Sequence, residues 1–304
     1  MIYFLDATPL HYTCQYPVEP EGVEFLCQAG AELNVQDNKT PLHYACEKKS
    51  KEKIKILIDY GANIEISDGK KPEDYLTEEE KIWFQSLNHF VLDFQNLLNN
   101  KELADMKITT KMGDIYFHKT IIMARLGKDK IEQFEKILHQ KEKNEIEKVL
   151  KFIYTACIEL EFREIVEEIF QELGISFVSK LGLKNLHEDL GKLYEDEESK
   201  DFTIIAGEEE IRAHKTILFA RSQTFRGMFL SVVDDSNKVN DYRGFSLKAL
   251  NNIVKFLYFD KFDFDNLSLN VLEEIEEGLD YYGIATSPVL LEQINRKMES
   301  LELK

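Results

Sequence analysis

"IRAHKTILFARS", residues 211–222, is almost spelled out once before, where residues 115–126 read "IYFHKTIIMARL". His118 and His214 stand 96 positions apart. The likeness begins ahead of them, with "DMKITTKMGDIYFHKTIIMAR" from Asp105 and "DFTIIAGEEEIRAHKTILFAR" from Asp201. Apolar residues alternate through "FTIIAG" and "GEEE" supplies a turn. Each copy therefore predicts a strand, a turn, a strand and then a helix opening at His-Lys-Thr. Beyond His214, the residues Ile217, Leu218, Phe225, Met228 and Phe229 mark the buried side of two short helices. Matched histidines are either a pair of acid–base or metal groups, or one structural unit built twice. A functional pair needs an Asp, Glu or Cys set to orient or share the imidazole, and neither copy offers one. A lone His at a strand-to-helix turn is more often a satisfied core or capping group. His118 and His214 are read as structural.

Downstream, "ALNNIVKFLYFDKFDF" and "VLEEIEEGLDYYGI" carry helical apolar spacing. Residues 201–284 closely resemble the BTB (POZ) domain. The resemblance rests on the acid-plus-strand opening, the His-Lys helix, the "S-x-x-F-R-x-M-F" segment at Ser222 to Phe229, and the "FLY" helix at Phe256 to Tyr258. The earlier copy matches the later helices with "VLKFIYTACIEL" and "EIVEEIFQELGI". However, 29 residues separate Arg125 from Tyr154, against 37 between Arg221 and Tyr258. Residues 103–180 are thus expected to be a truncated BTB-like domain that has lost part of its partner-facing side.

Toward the N-terminus a second repeat appears. "TPLHYTC" begins at Thr8 and "TPLHYAC" at Thr40, and each is followed by an apolar helical stretch ending at a glycine, Gly30 or Gly61. Thr suits a helix N-cap, Pro suits the first helical position, and Gly suits the left-handed residue past a helix end. Pro41 is echoed by Pro72 in "DGKKPEDYL". These phrases resemble the ankyrin repeat. The resemblance implies that His11 and His43 are structural groups bonded to neighbouring backbone. It also implies that the turns, with Gln36, Asp37, Asn38, Lys39, Ser67 and Asp68, are fingers that meet a protein ligand. The turns are about two residues shorter than the usual finger. Since three units are normally needed for a stable stack, "PEDYLTEEEKIWFQSLNHFVLDFQNLLNN" is expected to be a degenerate third, carrying the ankyrin region to residue 98.

Composition sets the outer limits. A chain of 304 residues with 43% hydrophobic content can hold two or three domains, each with a core. The formal charge of −18 repels phosphate backbones and anionic bilayers, so neither nucleic acid nor membrane is an expected partner. Cys14, Cys27, Cys46 and Cys157 are scattered, without metal-ligand spacing, and read as free thiols of a reducing compartment. "MIYFLDATPL" lacks the basic and apolar regions of a signal peptide, and no apolar stretch has membrane-spanning length. The expected location is the cytoplasm, with the nucleus as the alternative. No hydrolase, metalloprotease or nucleotide-binding motif occurs, so no enzyme, metal or cofactor is expected.

The full expectation is a multidomain chain. A short α-helical ankyrin stack (1–98) precedes two α+β BTB/POZ domains, the first truncated (103–180) and the second complete (201–284). A leucine-striped helix and acidic hinge (181–200) lie between them, and one helix follows (285–304). Together the modules resemble the ankyrin-repeat and BTB domain-containing family. That resemblance implies a substrate adaptor of a cullin-RING ubiquitin ligase, in which the ankyrin repeats hold the target and the second BTB domain docks the cullin. The expected dock is Met228, Phe229, Val233, Asp234 and Asp235, with Asp where such docks carry Glu. The alternative is a non-ligase scaffold or self-association protein. A monomer whose two BTB copies pair internally is favoured over a homodimer.

Overall fold

In the computed structural model, which describes residues 7–302 apart from 88, 99, 157, 159–161, 178, 179, 181, 232–236, 242 and 287, the N-terminal repeat folds as pairs of short helices. These are α1 (Pro9–Gln15), α2 (Pro20–Gln28), α3 (Pro41–Glu47) and α4 (Lys51–Asp59), followed by a 3-10 turn (Pro72–Tyr75) and α5 (Glu78–Ser86). Next come α6 (His89–Leu97), the strands β1 (Met106–Thr110) and β2 (Gly113–Phe117), and α7 (Lys119–Leu126). The helices α8 (Ile131–Leu138), α9 (Lys143–Thr155), α10 (Arg163–Glu172) and α11 (Gly182–Glu195) follow. The last part holds β3 (Phe202–Ala206), β4 (Glu209–Ala213), α12 (Lys215–Arg221), α13 (Gln223–Leu230), β5 (Lys238–Asn240), α14 (Leu247–Phe259), α15 (Leu269–Tyr281) and α16 (Pro288–Glu302).

These elements form two compact units. One comprises residues up to 88 with 132–186, and the other 89–131 with the chain from 187 onward. In the first, α1 packs on α3 and α3 on the 3-10 turn, while α2 packs on α4. Leu10, Leu42, Ile54 and Leu57 are fully buried between them. Gly61, at φ 98°, ends α4 where its hydrogen lies against the Ala156 carbonyl, so a Cβ would crowd that backbone. Asn34 donates to the Ile158 carbonyl at 3.3 Å and Arg163 pairs with Glu32, so the repeat stack and the region around α9 and α10 share one body. Cys14, Cys27 and Cys46 are buried free thiols, and burial pushes Cys14 and Cys27 up to about 12. Cys157 lies outside the described residues.

In the second unit β1 and β2 form an antiparallel hairpin, and β3 stands between antiparallel β4 and parallel β5. The two hairpins pair in the same register, Met106 opposite Phe117 and Phe202 opposite Ala213. Phe225, Leu250, Ile253, Leu257, Leu272 and Ile275 supply the core.

The expected body over 103–180 is divided, its hairpin and α7 belonging to the second unit and α9 and α10 to the first. α6, expected as the tail of the ankyrin array, packs on α12. Phe90, Phe94 and Leu97 bury its apolar face. Apolar spacing says that such a helix is covered, not by what. The acidic stretch 195–200, expected as a solvated hinge, is tied down. Lys128 pairs with Asp196 at 2.7 Å, and Arg212 donates to the Glu197 carbonyl at 2.9 Å.

Candidate protein-interaction site

The first candidate surface lies on the turns of the repeat stack. Asp37 accepts from the Lys39 N–H at 3.2 Å and from Tyr44 Oη at 3.1 Å, closing one turn. Asp68 repeats the arrangement, taking the Lys70 N–H at 2.9 Å and Tyr75 Oη at 3.1 Å. The tip residue between each Asp and Lys has positive φ, 118° at Asn38 and 106° at Gly69. Lys39 Nζ sits over the Tyr75 ring at 4.4 Å and pairs with Glu47 at 2.8 Å. Both aspartates and Lys39 are therefore half-buried parts of the turns. Gln36, Asn38 and Ser67 are exposed, and Gln36 reaches the Ser67 carbonyl at 3.5 Å.

The histidines of the repeat hold these turns. In α3, His43 Nδ1 accepts the Thr40 backbone N–H at 3.1 Å, and Nε2 donates to the Lys70 carbonyl at 3.1 Å. His11 does the same one unit earlier, from Thr8 to the carbonyls of Val35 and Lys39. Each ring meets the next unit's tyrosine edge-on, His11 against Tyr44 and His43 against Tyr75. Asp74 takes the histidine's capping place in the third unit, accepting the Lys71 N–H at 2.8 Å. The tyrosine of "TPLHY" recurs as Tyr12, Tyr44 and Tyr75, with Tyr12 44% exposed. The repeat phrase carries this row one position after each capping residue, His11, His43 and Asp74.

The second surface is α13. Ser222 caps it, accepting the Phe225 N–H at 3.1 Å and donating to the Tyr282 carbonyl at 2.6 Å. Phe225 stacks on Tyr282 with centroids 5.0 Å apart, and Phe229 meets Phe202 edge-on at 5.0 Å. Phe229 is thus half-claimed by the domain's own aromatic cluster. Met228 is half-buried and Leu230 is 48% exposed, so an apolar edge stays open. Val233, Asp234 and Asp235 lie outside the described residues.

His118 and His214 sit at the N-caps of α7 and α12 and are almost wholly buried. His118 Nε2 faces the Glu102 carbonyl at 3.1 Å. His214 Nδ1 lies 2.8 Å from Tyr258 Oη and Nε2 lies 2.9 Å from Ser199 Oγ. Burial, then the Lys200 ammonium, holds His214 down to about 4, and burial lowers His118 too. The aspartate 13 residues ahead caps each helix. Asp105 accepts the Lys119 N–H and Asp201 the Lys215 N–H, both at 2.7 Å. Among the described residues no cluster of three or more His, Cys, Asp or Glu could hold a metal ion, and no helix is long and apolar enough to cross a membrane.

Two family models match the chain. Ankyrin repeats (3 copies) match residues 4–68, and the BTB/POZ domain matches residues 190–297. Ankyrin repeats precede one BTB/POZ domain. Two Mus musculus proteins are similar to part of the chain. TD and POZ domain-containing protein 1-like is 31% identical over 108 residues, 35% of this chain and 29% of that protein. TD and POZ domain-containing protein 2 is 52% identical over 44 residues, 14% of this chain and 12% of that protein. The chain thus spans less than a third of the length of these curated relatives. The BTB match begins inside α11, ahead of the expected start at 201. Two BTB domains were expected and one is supported, since the match leaves 103–180 outside it. The hairpin and α7 of that earlier copy repeat the BTB opening without the rest of the domain around them. Ankyrin and BTB modules both act by binding protein, and this chain carries both.

Proposed function

We propose that the protein is a substrate adaptor of a cullin-RING ubiquitin ligase, with the ankyrin turns and tyrosine row receiving the target and the BTB domain docking the cullin. The observation that carries this reading is the pairing of an ankyrin unit with a BTB/POZ domain in one chain. The open apolar edge of α13, Met228 with Leu230, is followed in the sequence by the acids Asp234 and Asp235, an apolar-then-acidic order that supports this reading. The protein contributes no chemistry of its own in this reading and needs no cofactor. The buried, unpaired thiols of Cys14, Cys27 and Cys46 fit a reducing compartment, the cytoplasm or nucleus.

The test is titration of the chain with purified cullin N-terminal regions. The parent is expected to bind one of them. Val233→Arg is expected to weaken that binding at least tenfold, about 1.4 kcal/mol or more, because it drives a charge into an apolar contact. A parent with no affinity for any cullin leaves the chain as a non-ligase scaffold assembled through the same modules. Unchanged affinity in Val233→Arg moves the dock elsewhere.

A further inference from the structure

The likeness between the two copies runs further back than the His-Lys-Thr phrase. At the same offset of 96, Phe90, Asp93, Phe94 and Leu97 of α6 correspond to Leu186, Asp189, Leu190 and Leu193 of α11, and Arg125 corresponds to Arg221. The apolar members are all buried, and both arginine side chains are fully so. Each copy is therefore a leading helix, a hairpin and a second helix with a buried arginine near its end.

The ion pairs cross between the copies. Arg221 of the second copy donates to Asp93 of the first at 2.7 Å, and Arg125 of the first donates to Asp189 of the second at 2.6 Å. Corresponding residues also meet each other. Thr216 Oγ1 lies 3.4 Å from Thr120 Oγ1, and the Asp105 charge is near enough to Asp201 to add to the upward push that burial gives it. Phe90 of α6 packs on His187 of α11 with ring centroids 4.3 Å apart. One residue meeting another's counterpart, while its own counterpart returns the contact, defines an isologous two-fold interface. Here both halves lie in one chain and within one compact unit.

We infer that residues 89–126 and 187–222 form an internal two-fold pair, each leading helix crossing to the other copy's buried arginine, and that this pair takes up the surface by which either copy would join a second chain. An isologous patch closes on itself, so once both halves are engaged none is left to recruit a further copy. The connecting chain holds the halves at high effective concentration, which favours the intramolecular contact over the intermolecular one. The protein is then a monomer with one BTB domain to offer. The pairing stands whether or not a cullin binds.

Two measurements on the whole chain test it. Light scattering of the parent across micromolar concentrations is expected to give a mass near 35.5 kDa, and a stable species of twice that mass overturns the inference. In the second, Thr120→Cys and Thr216→Cys are combined and mildly oxidised, with each single variant as a control for bonds to the native cysteines. A disulfide within one chain, seen as a reducible mobility shift without change of mass, is expected of the double variant alone. A disulfide-linked dimer, or two new thiols that stay reduced, overturns it.

Discussion

Tyr258 Oη receives the backbone N–H of His214 at 2.8 Å, so its own proton is free to go to Nδ1 of the same residue. That leaves the imidazole proton on Nε2, facing Ser199 Oγ, which in turn donates to the Asp196 carbonyl at 3.0 Å. Tyr258 Oη, the imidazole and Ser199 Oγ each give one proton and take one, which suits a neutral ring. A second ring proton would leave Tyr258 and His214 donating toward each other. His214→Asn is expected to lower stability by roughly 1–3 kcal/mol, measured by urea unfolding, without affecting a cullin titration. The ring also makes stability depend on pH. Its folded value, about 4, lies below the ordinary 6.5, so between those values the unfolded chain binds the proton and the folded one does not. Stability should therefore fall as pH drops from 6.5 to about 4 and level off below. The His214 share is on the order of 3 kcal/mol, and His214→Asn should flatten the profile by that share. Asn38 makes a separate residue-level case. Its φ of 118° matches that of Gly69 in the next turn. Asn38→Ala should cost about 1–3 kcal/mol and Asn38→Gly should not, which thermal unfolding of the two variants can distinguish.

At the scale of elements, the local plan was legible because local chemistry makes it. Thr-Pro opens a helix, glycine ends one, and alternation around "GEEE" makes a hairpin, so both repeats could be read from short phrases. The partners of those elements could not. Asp189 reads in sequence as one acid on a leucine-striped helix, yet its side chain is 4% exposed and holds Arg125. Asp189→Ala takes the carboxylate from a buried guanidinium and should cost about 3–5 kcal/mol. Lys192→Ala, which removes an exposed partner of the same carboxylate, should cost no more than about 1 kcal/mol. Equal losses in denaturant unfolding would mean that the Arg125 contact contributes nothing. Arg221 shows how crowded such a site can be, since it pairs with both Asp93 and Asp260 and lies over the Phe90 ring. Burial works against the Asp260 carboxylate, but Arg221 together with His89 and His187 outweighs it and holds that group well below the usual range. Asp93 goes the other way, raised by burial against the same arginine.

Across the whole molecule, the crossed helices predict how a fragment behaves. A chain beginning at residue 187 keeps the BTB match but lacks Asp93 and Phe90, the partners of Arg221. It is expected to self-associate, with light scattering giving a mass above its monomer value. A well-behaved monomer of that fragment would show that α6 is dispensable. Local sequence patterns suffice for the modules: an ankyrin stack, a BTB opening at Asp201 and an earlier echo of it. Those follow from caps, turns and apolar periods whose partners are within a few positions. Long-range packing divides the echo between two units, takes α6 out of the ankyrin array and exchanges the partners of Arg125 and Arg221. An apolar stripe or a lone acid states that a face must be covered or a charge answered. Which of many equivalent faces does so, here 128 residues away for Asp93 and Arg221, is settled by three-dimensional packing, where separation along the chain carries no information.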